Sequence, residues 1–226
     1  MKVIGIPLRY QHLEDGRCIN YLSEKLRLTL QKAGAYVFPI APVQDVYYID
    51  TRGKDFLPLT DKEKEVIEKS LDYIDGMLFP GGNKFTPYDR YLLERCIDRD
   101  IPVLGICLGM QMISCYQKDV NLIKNETVIN HKQESDFELT HKVKIKKDTL
   151  LYDILKKEEI MVNSFHNYHA LENNLFNVCA ISEDNIIEGI ELSDKKFVLG
   201  IQWHPEISYE FDENSKKIID EFIRRC

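Results

Sequence analysis

The chain has 226 residues, 44 % of them hydrophobic, which is enough to bury a substantial core. A formal net charge of −7, with lysines interspersed among acids and no basic stripe, argues against nucleic acid as a partner. No apolar run is long enough to span a bilayer, and Met1 to Leu8 is too short and too weakly charged for a secretory leader, so a cytoplasmic protein without membrane contact is expected.

Val3 to Leu8 reads as a first buried strand, and the polar residues that follow, through Arg17, as a loop. Tyr21, Leu22, Leu26, Leu30 and Ala33 recur at helical spacing up to Gly34, a C-capping glycine. Val37 to Ile40 is a second short strand, and the mixed stretch 43–58 is expected to loop over the sheet's carboxyl edge. Thr60 caps the next helix, with Glu63 placed to complete a capping box. Gly76 to Phe79 is a strand, Asp89 to Arg99 a helix, and Val103 to Ile106 a further strand. Such alternation predicts an α/β protein with a mostly parallel sheet and right-handed crossovers, which binds ligands beyond the carboxyl ends of its strands.

After Met112 the pattern changes. Alternating runs at 142–146, 160–163, 178–181 and 187–192 predict β-structure added beside the main sheet, with a short helix over 149–155 and a closing helix over 212–225. Without a repeat, low-complexity tract or linker, a single domain spanning 1–226 is expected. Six cysteines stand without a CxxC pair, which suits reduced thiols rather than disulfides or zinc.

The chemistry concentrates in four places. Gly105-Ile106-Cys107-Leu108-Gly109 has the form of a nucleophile elbow: a strand ends at Cys107 and turns into a helix, whose N-terminus favours thiolate. Late in the chain, a strand over 197–203 delivers His204-Pro205-Glu206. In extended chain His204 and Glu206 face the same side, so the carboxylate can orient the imidazole. Pro80-Gly81-Gly82-Asn83-Lys84 follows a strand, and its paired glycines let backbone N–H groups approach a substrate, although they suit a plain turn equally well. Asn163-Ser164-Phe165-His166-Asn167-Tyr168-His169 is a polar cluster that reads as a surface loop or a substrate wall. His166 and His169 lack a third ligand at sensible spacing, so no metal is expected there.

In this order the four elements resemble the class I glutamine amidotransferase family, in its free-standing γ-glutamyl hydrolase branch typified by γ-glutamyl-γ-aminobutyrate hydrolases. The resemblance rests on Pro80-Gly81-Gly82, Gly105 to Gln111, Asn163 to His166 and Gly200 to Glu206, and runs from the first strand to the last. It implies a three-layer, flavodoxin-like fold with added β-hairpins in the C-terminal half. It also implies a Cys107, His204, Glu206 triad and an oxyanion hole from the backbone N–H groups of Gly82 and Leu108. A small γ-glutamyl substrate would be bound by Gly81, Lys84, Gln111, Asn163, Ser164, Phe165 and His166. No cofactor is implied, and a homodimer is compatible with the family.

Three departures bear on the leaving group. Lys84 stands where the hydrolases usually carry an acid, Asp119 to Ile123 replaces a Gly-Gly-Thr-Leu turn, and His166-Asn167-Tyr168 replaces His-His-Gln. The expected reaction is hydrolysis of a γ-glutamyl amide through a thioester on Cys107. The main alternative is a glutaminase subunit that delivers ammonia to a separate synthetase. A flavodoxin-like stress protein would lack the His-Pro-Glu strand end, and a γ-glutamyl-binding pseudoenzyme would not need an intact triad.

Overall fold

The structure, a computed structural model, describes residues 1–43, 58–84, 86–116, 122–127, 129–135, 138–172 and 174–226. In chain order, β1 (Lys2–Pro7) leads into β2 (Arg9–His12) and β3 (Cys18–Tyr21), then α1 (Glu24–Lys32), β4 (Ala35–Ile40) and α2 (Asp61–Leu71). β5 (Gly76–Phe79), α3 (Pro87–Asp98), β6 (Val103–Ile106) and α4 (Leu108–Ser114) complete the first half. The second half contains β7 (Ile123–Lys124), β8 (His141–Ile145), α5 (Leu150–Leu155), β9 (Glu159–Val162) and β10 (Tyr168–His169). It continues with β11 (Asn177–Ser182), β12 (Ile187–Glu191), β13 (Val198–Ile201), α6 (Pro205–Ser208) and α7 (Glu213–Arg225).

Nine strands form one sheet in the order β4-β1-β5-β6-β13-β12-β11-β8-β9. β4 through β13 pair in parallel, and from β13 onward each neighbour is antiparallel. The added β-structure therefore continues the main sheet. Helices cover both faces: α1, α5 and α7 contribute Leu26, Leu30, Leu151, Leu155, Ile218 and Phe222 to one core, while α2, α3 and α4 contribute Ile67, Leu71, Leu92, Ile97, Met110 and Ile113 to the other. The central strands serve both, since Val103 and Val198 face the second core while Leu104, Ile106, Leu199 and Ile201 face the first. Buried on two sides, such strands read as continuous apolar runs.

The local signals account for most element ends. Gly34 takes φ +87° after α1, as its capping role requires. Thr60 and Glu63 form the expected box at α2, and Thr86 with Asp89 forms a second at α3, which therefore starts at Pro87, two residues before the expected Asp89. The expected loop through Arg17 is instead the β2–β3 hairpin, turning over Gly16 at φ +84° with Leu13 N–H donating to Arg17 O at 2.8 Å. Its strands are polar and half-exposed, so apolar patterning does not mark them. The stretch 43–58 falls almost wholly outside the described residues.

Helix α4 lies close on the sheet because two positions have no side chain. A Cβ at Gly105 would come within 2.6 Å of the Gly109 carbonyl carbon, and one at Gly109 would collide with the backbone oxygen of Phe79 on β5. Gly109→Ala is therefore expected to destabilise the fold by more than about 2 kcal/mol, because backbone on both sides must move. Urea unfolding monitored at Trp203 checks this.

Candidate active site

Cys107 sits between β6 and α4 at φ +52° and ψ −103°. Left-handed backbone at a side chain with a Cβ costs roughly 1 kcal/mol or more, so the surroundings must hold it. They do so from both sides: Cys107 N–H donates to Ile201 O of β13 at 2.8 Å, and Cys107 O accepts from Gln111 N at 3.0 Å. The thiol is thereby placed at the first turn of α4, beside the strand that leads to His204.

His204 and Glu206 meet as expected, by a different backbone. Pro205 begins the short α6, so Glu206 lies in a helical turn and not in extended chain. Its Oε1 still reaches Nδ1 of His204 at 2.7 Å. Asn163 fixes the histidine's main chain from two directions, accepting from His204 N–H and donating through Nδ2 to His204 O, both at 2.8 Å. Thr29 of α1 donates through Oγ1 to Glu206 O at 2.9 Å. Burial works against charge on His204, but the Glu206 carboxylate and a hydrogen bond with the Cys107 side chain outweigh it, holding the imidazolium well above the usual histidine range.

A pocket of about 430 Å³ opens over Cys107, lined among others by Gly82, Lys84, Leu108, Gln111, Phe165 and His166. The Phe165 ring meets the His204 ring edge to face, centroids 5.5 Å apart. Gln111 donates through Nε2 to Tyr168 O at 2.9 Å, joining α4 to the opposite wall. Gly81 packs against His204, where a Cβ would stand 2.8 Å from the ring's Cε1.

Two residues expected to touch substrate lie behind the wall instead. Asn163 and Ser164 are fully buried. Asn163 is committed to the His204 backbone, and Ser164 donates through Oγ to His131 O at 2.9 Å while its N–H donates to Gln133 Oε1 at 2.6 Å. Their roles are positional because the polar atoms of each side chain are used inside the fold.

Arg9, which no local pattern singles out, braces the glycine turn. Its guanidinium is buried, pairs with Asp89 at 2.7 Å, and donates to the carbonyl oxygens of Pro80 at 2.9 Å and Gly81 at 3.2 Å. Asp89 is also the capping residue of α3, so one carboxylate ties the helix start and the turn together. With both carbonyls engaged by Arg9, the orientation of the peptide planes around Gly82 is set.

The structure brings His166 into a cluster that sequence spacing does not reveal. His131, His141 and His166 converge on Glu188, all four at least 96 % buried, while His169 pairs through Nδ1 with Asn125 Oδ1 at 2.9 Å. Burial alone would push the Glu188 carboxyl up, yet the three imidazoles that face it hold it well below the usual carboxylate range.

All six cysteines are present as thiols rather than disulfides. Burial pushes the Cys96 and Cys179 thiols up, and Cys226 up to about 12, while Cys115 donates to Gln111 O at 2.9 Å. Cys107 alone combines a pocket wall with an imidazole neighbour.

Comparison with known proteins places the chain in a family. The Peptidase C26 family profile matches residues 87–206. Protein NtpR of Enterococcus hirae is 30 % identical over 184 residues, covering 68 % of this chain and 76 % of that protein. γ-Glutamyl-γ-aminobutyrate hydrolase PuuD of Escherichia coli is 24 % identical over 257 residues, covering 99 % and 93 %. In fold, a Thermoplasma acidophilum protein assigned to GMP synthase superposes with a TM-score of 0.67 at 17 % identity, over 100 % of this chain and 94 % of that one. Two-sided cover on a mostly parallel sheet, the elbow at Cys107 and the profile match identify the chain as a member of the Peptidase C26 family, within the class I glutamine amidotransferase-like group.

Proposed function

We propose that this chain hydrolyses a γ-glutamyl amide, releasing glutamate and an amine through a γ-glutamyl thioester on Cys107. Family membership supports amidohydrolase activity in general. The observation that carries the finer reading is the Cys107, His204, Glu206 alignment beneath a pocket of about 430 Å³, a size suited to a small molecule.

The proposed sequence begins with Cys107 thiolate attacking the side-chain amide carbon. The tetrahedral oxyanion receives the backbone N–H groups of Gly82 and of Leu108, the latter a first-turn residue whose N–H has no acceptor within α4. Each such donor is worth about 3 kcal/mol of transition-state stabilisation. His204 protonates the departing amine, then takes a proton from the water that cleaves the thioester. Glu206 steadies the imidazolium through Nδ1. Gln111 and Phe165 shape the wall that grips the γ-glutamyl group.

A second reading, a glutaminase subunit serving a separate synthetase, draws on the fold likeness to the protein assigned to GMP synthase. Both readings share the acyl-enzyme, and they part on autonomy. Glutamate release by the isolated chain from glutamine, γ-glutamyl-γ-aminobutyrate, γ-glutamyl polyamines and folate polyglutamate is expected to reveal one rapid substrate, with activity abolished in Cys107→Ala. Silence on all of them, with Cys107 still alkylated by a thiol reagent, would favour the partner-dependent reading. Activity retained in Cys107→Ala would sink both.

Glu206→Gln tests the orienting role. Removing the carboxylate charge should lower the His204 pKa towards the ordinary value near 6.5, and turnover should fall about 10³- to 10⁴-fold. Because the folded-state pKa is raised in the native protein, the stability this imidazolium contributes is complete below about pH 6.5 and is lost as pH rises through the raised pKa. Ring-proton NMR of His204, with unfolding measured from pH 5 to 9 in both proteins, reads each quantity.

Lys84 lines the pocket, and we propose that it favours an anionic leaving amine. Lys84→Ala should reduce kcat/KM for γ-glutamyl amides of acidic amines by about tenfold relative to neutral or cationic ones. Unchanged selectivity across that series would remove Lys84 from the account.

A further inference from the structure

Behind the pocket wall, four side chains from four separate segments meet at one point. His131 Nδ1, His141 Nε2 and His166 Nε2 lie 3.4, 3.2 and 3.5 Å from a single atom, Oε1 of Glu188. We propose that His131, His141 and Glu188 form a binding site for a divalent transition-metal ion, with zinc the ion whose preferences they meet best and His166 standing beside it.

Spacing is the first argument. Ligand atoms around a tetrahedral zinc with bonds of about 2.0–2.1 Å stand about 3.3 Å from one another. The three nitrogen-to-oxygen separations fall on either side of that value, and the ligating atoms of His131, His141 and Glu188 all lie within 4.8 Å of each other. Two imidazoles and a carboxylate make a three-ligand N/O set with a fourth position open, one that suits zinc better than calcium or magnesium; His166 Nε2 meets Glu188 but lies outside this grouping.

Tautomers supply the second. Nε2 of His131 faces Asp184 Oδ2 at 3.0 Å, so in the neutral ring the proton sits on Nε2 and Nδ1 is available as a ligand. Nδ1 of His166 lies 3.1 Å from Tyr168 O; with the ring N–H donating to that carbonyl, Nε2 presents its lone pair towards Glu188. Asn125 Nδ2, 3.2 Å from the same Nδ1, has its own acceptor in His166 O at 3.1 Å. The partners on the outer nitrogens, a carboxylate and a backbone carbonyl, are those that typically orient metal-bound histidines.

Unsatisfied atoms supply the third. His166 Nε2 and Glu188 Oε2 are both buried without a hydrogen-bond partner, which is costly for a neutral ring and more so for a carboxylate. Glu188 and Asp184 together carry the two negative charges that a dication needs. A second cavity, of about 310 Å³, is lined by His131 and His166 among others and provides a path of entry. Since His166 follows Phe165, which packs on the His204 ring, the ion would anchor the wall of the catalytic pocket.

The test uses the full chain carrying Cys107→Ser, which removes the thiol beside His204 as a rival zinc trap. After dialysis against chelator, zinc ion alone is added and bound metal is measured after gel filtration, with cobalt(II) as the spectroscopic probe. The expected result is a single tightly held zinc and a four-coordinate cobalt spectrum without thiolate charge-transfer bands. Asp184→Asn should weaken zinc binding about 10- to 100-fold, and His141→Gln should abolish it. No retained zinc, with a thermal midpoint that zinc does not move, would mean that the cluster holds protons only and would overturn the proposal. Zinc retained equally in His141→Gln, or a cobalt spectrum with thiolate bands, would overturn it as well. The measurement on Cys107→Ser needs no change to any ligand, so failure of a ligand variant to fold leaves the proposal testable.

Discussion

The close approach of α4 to the sheet is the constraint on which the site depends. Gly105 and Gly109 let backbone pack on backbone, and the chain between them turns with Cys107 at positive φ. That conformation is held by bonds to β13 and to α4, not by the cysteine's own side chain. The strain at Cys107 and the packing under it are therefore one feature, and the thiol's position is as rigid as the centre of the sheet. His204 inherits the same rigidity, because β13 both bonds to Cys107 and leads to the histidine.

Around this centre, residues that never touch the pocket fix its geometry. Asn163 holds the His204 main chain, Thr29 holds that of Glu206, and Arg9 holds the carbonyls of the glycine turn. Each comes from a different element, so the pocket is built by contacts distant in sequence. Arg9 and Asp89 form a buried ion pair with little exposure, and the pair's remaining hydrogen bonds go to backbone groups that need orienting. Such pairs give little net stability but specify geometry well.

Much of this was legible in the sequence, and the remainder has a physical pattern. Cys107 with flanking glycines and the His204-Pro205-Glu206 run are local signals, and the structure brings them together. The α/β alternation was equally readable, because strands buried on both faces must be apolar throughout. Residues whose role lies in a contact far along the chain were not legible. Arg9 follows an ordinary strand, and its partners are Asp89 and the turn at Pro80. Asn163 and Ser164 sit in a polar run that looks like pocket wall, yet a polar run says nothing about which side chains face inward. The histidine cluster draws on 131, 141, 166 and 188, so spacing could not disclose it; within the polar run only His166 and His169 stood near each other, and without a third ligand no metal was expected there. The second capping box was readable from Thr86, Pro87 and Asp89, and its signal was simply shorter than the helix that follows.

The strand order carries a consequence for how the molecule is made. β13 lies at the middle of the sheet, between β6 and β12, yet it is the last strand in the chain. Until it emerges, β6 and β12 each present an unpaired apolar edge, of the kind that invites wrong pairing between growing chains. Insertion of β13 closes that gap, supplies the bond that holds Cys107, and draws His204 into place in the same event. An incompletely synthesised chain thus carries Cys107 without the His204 imidazole beside it, and the two side chains meet only once β13 is in place.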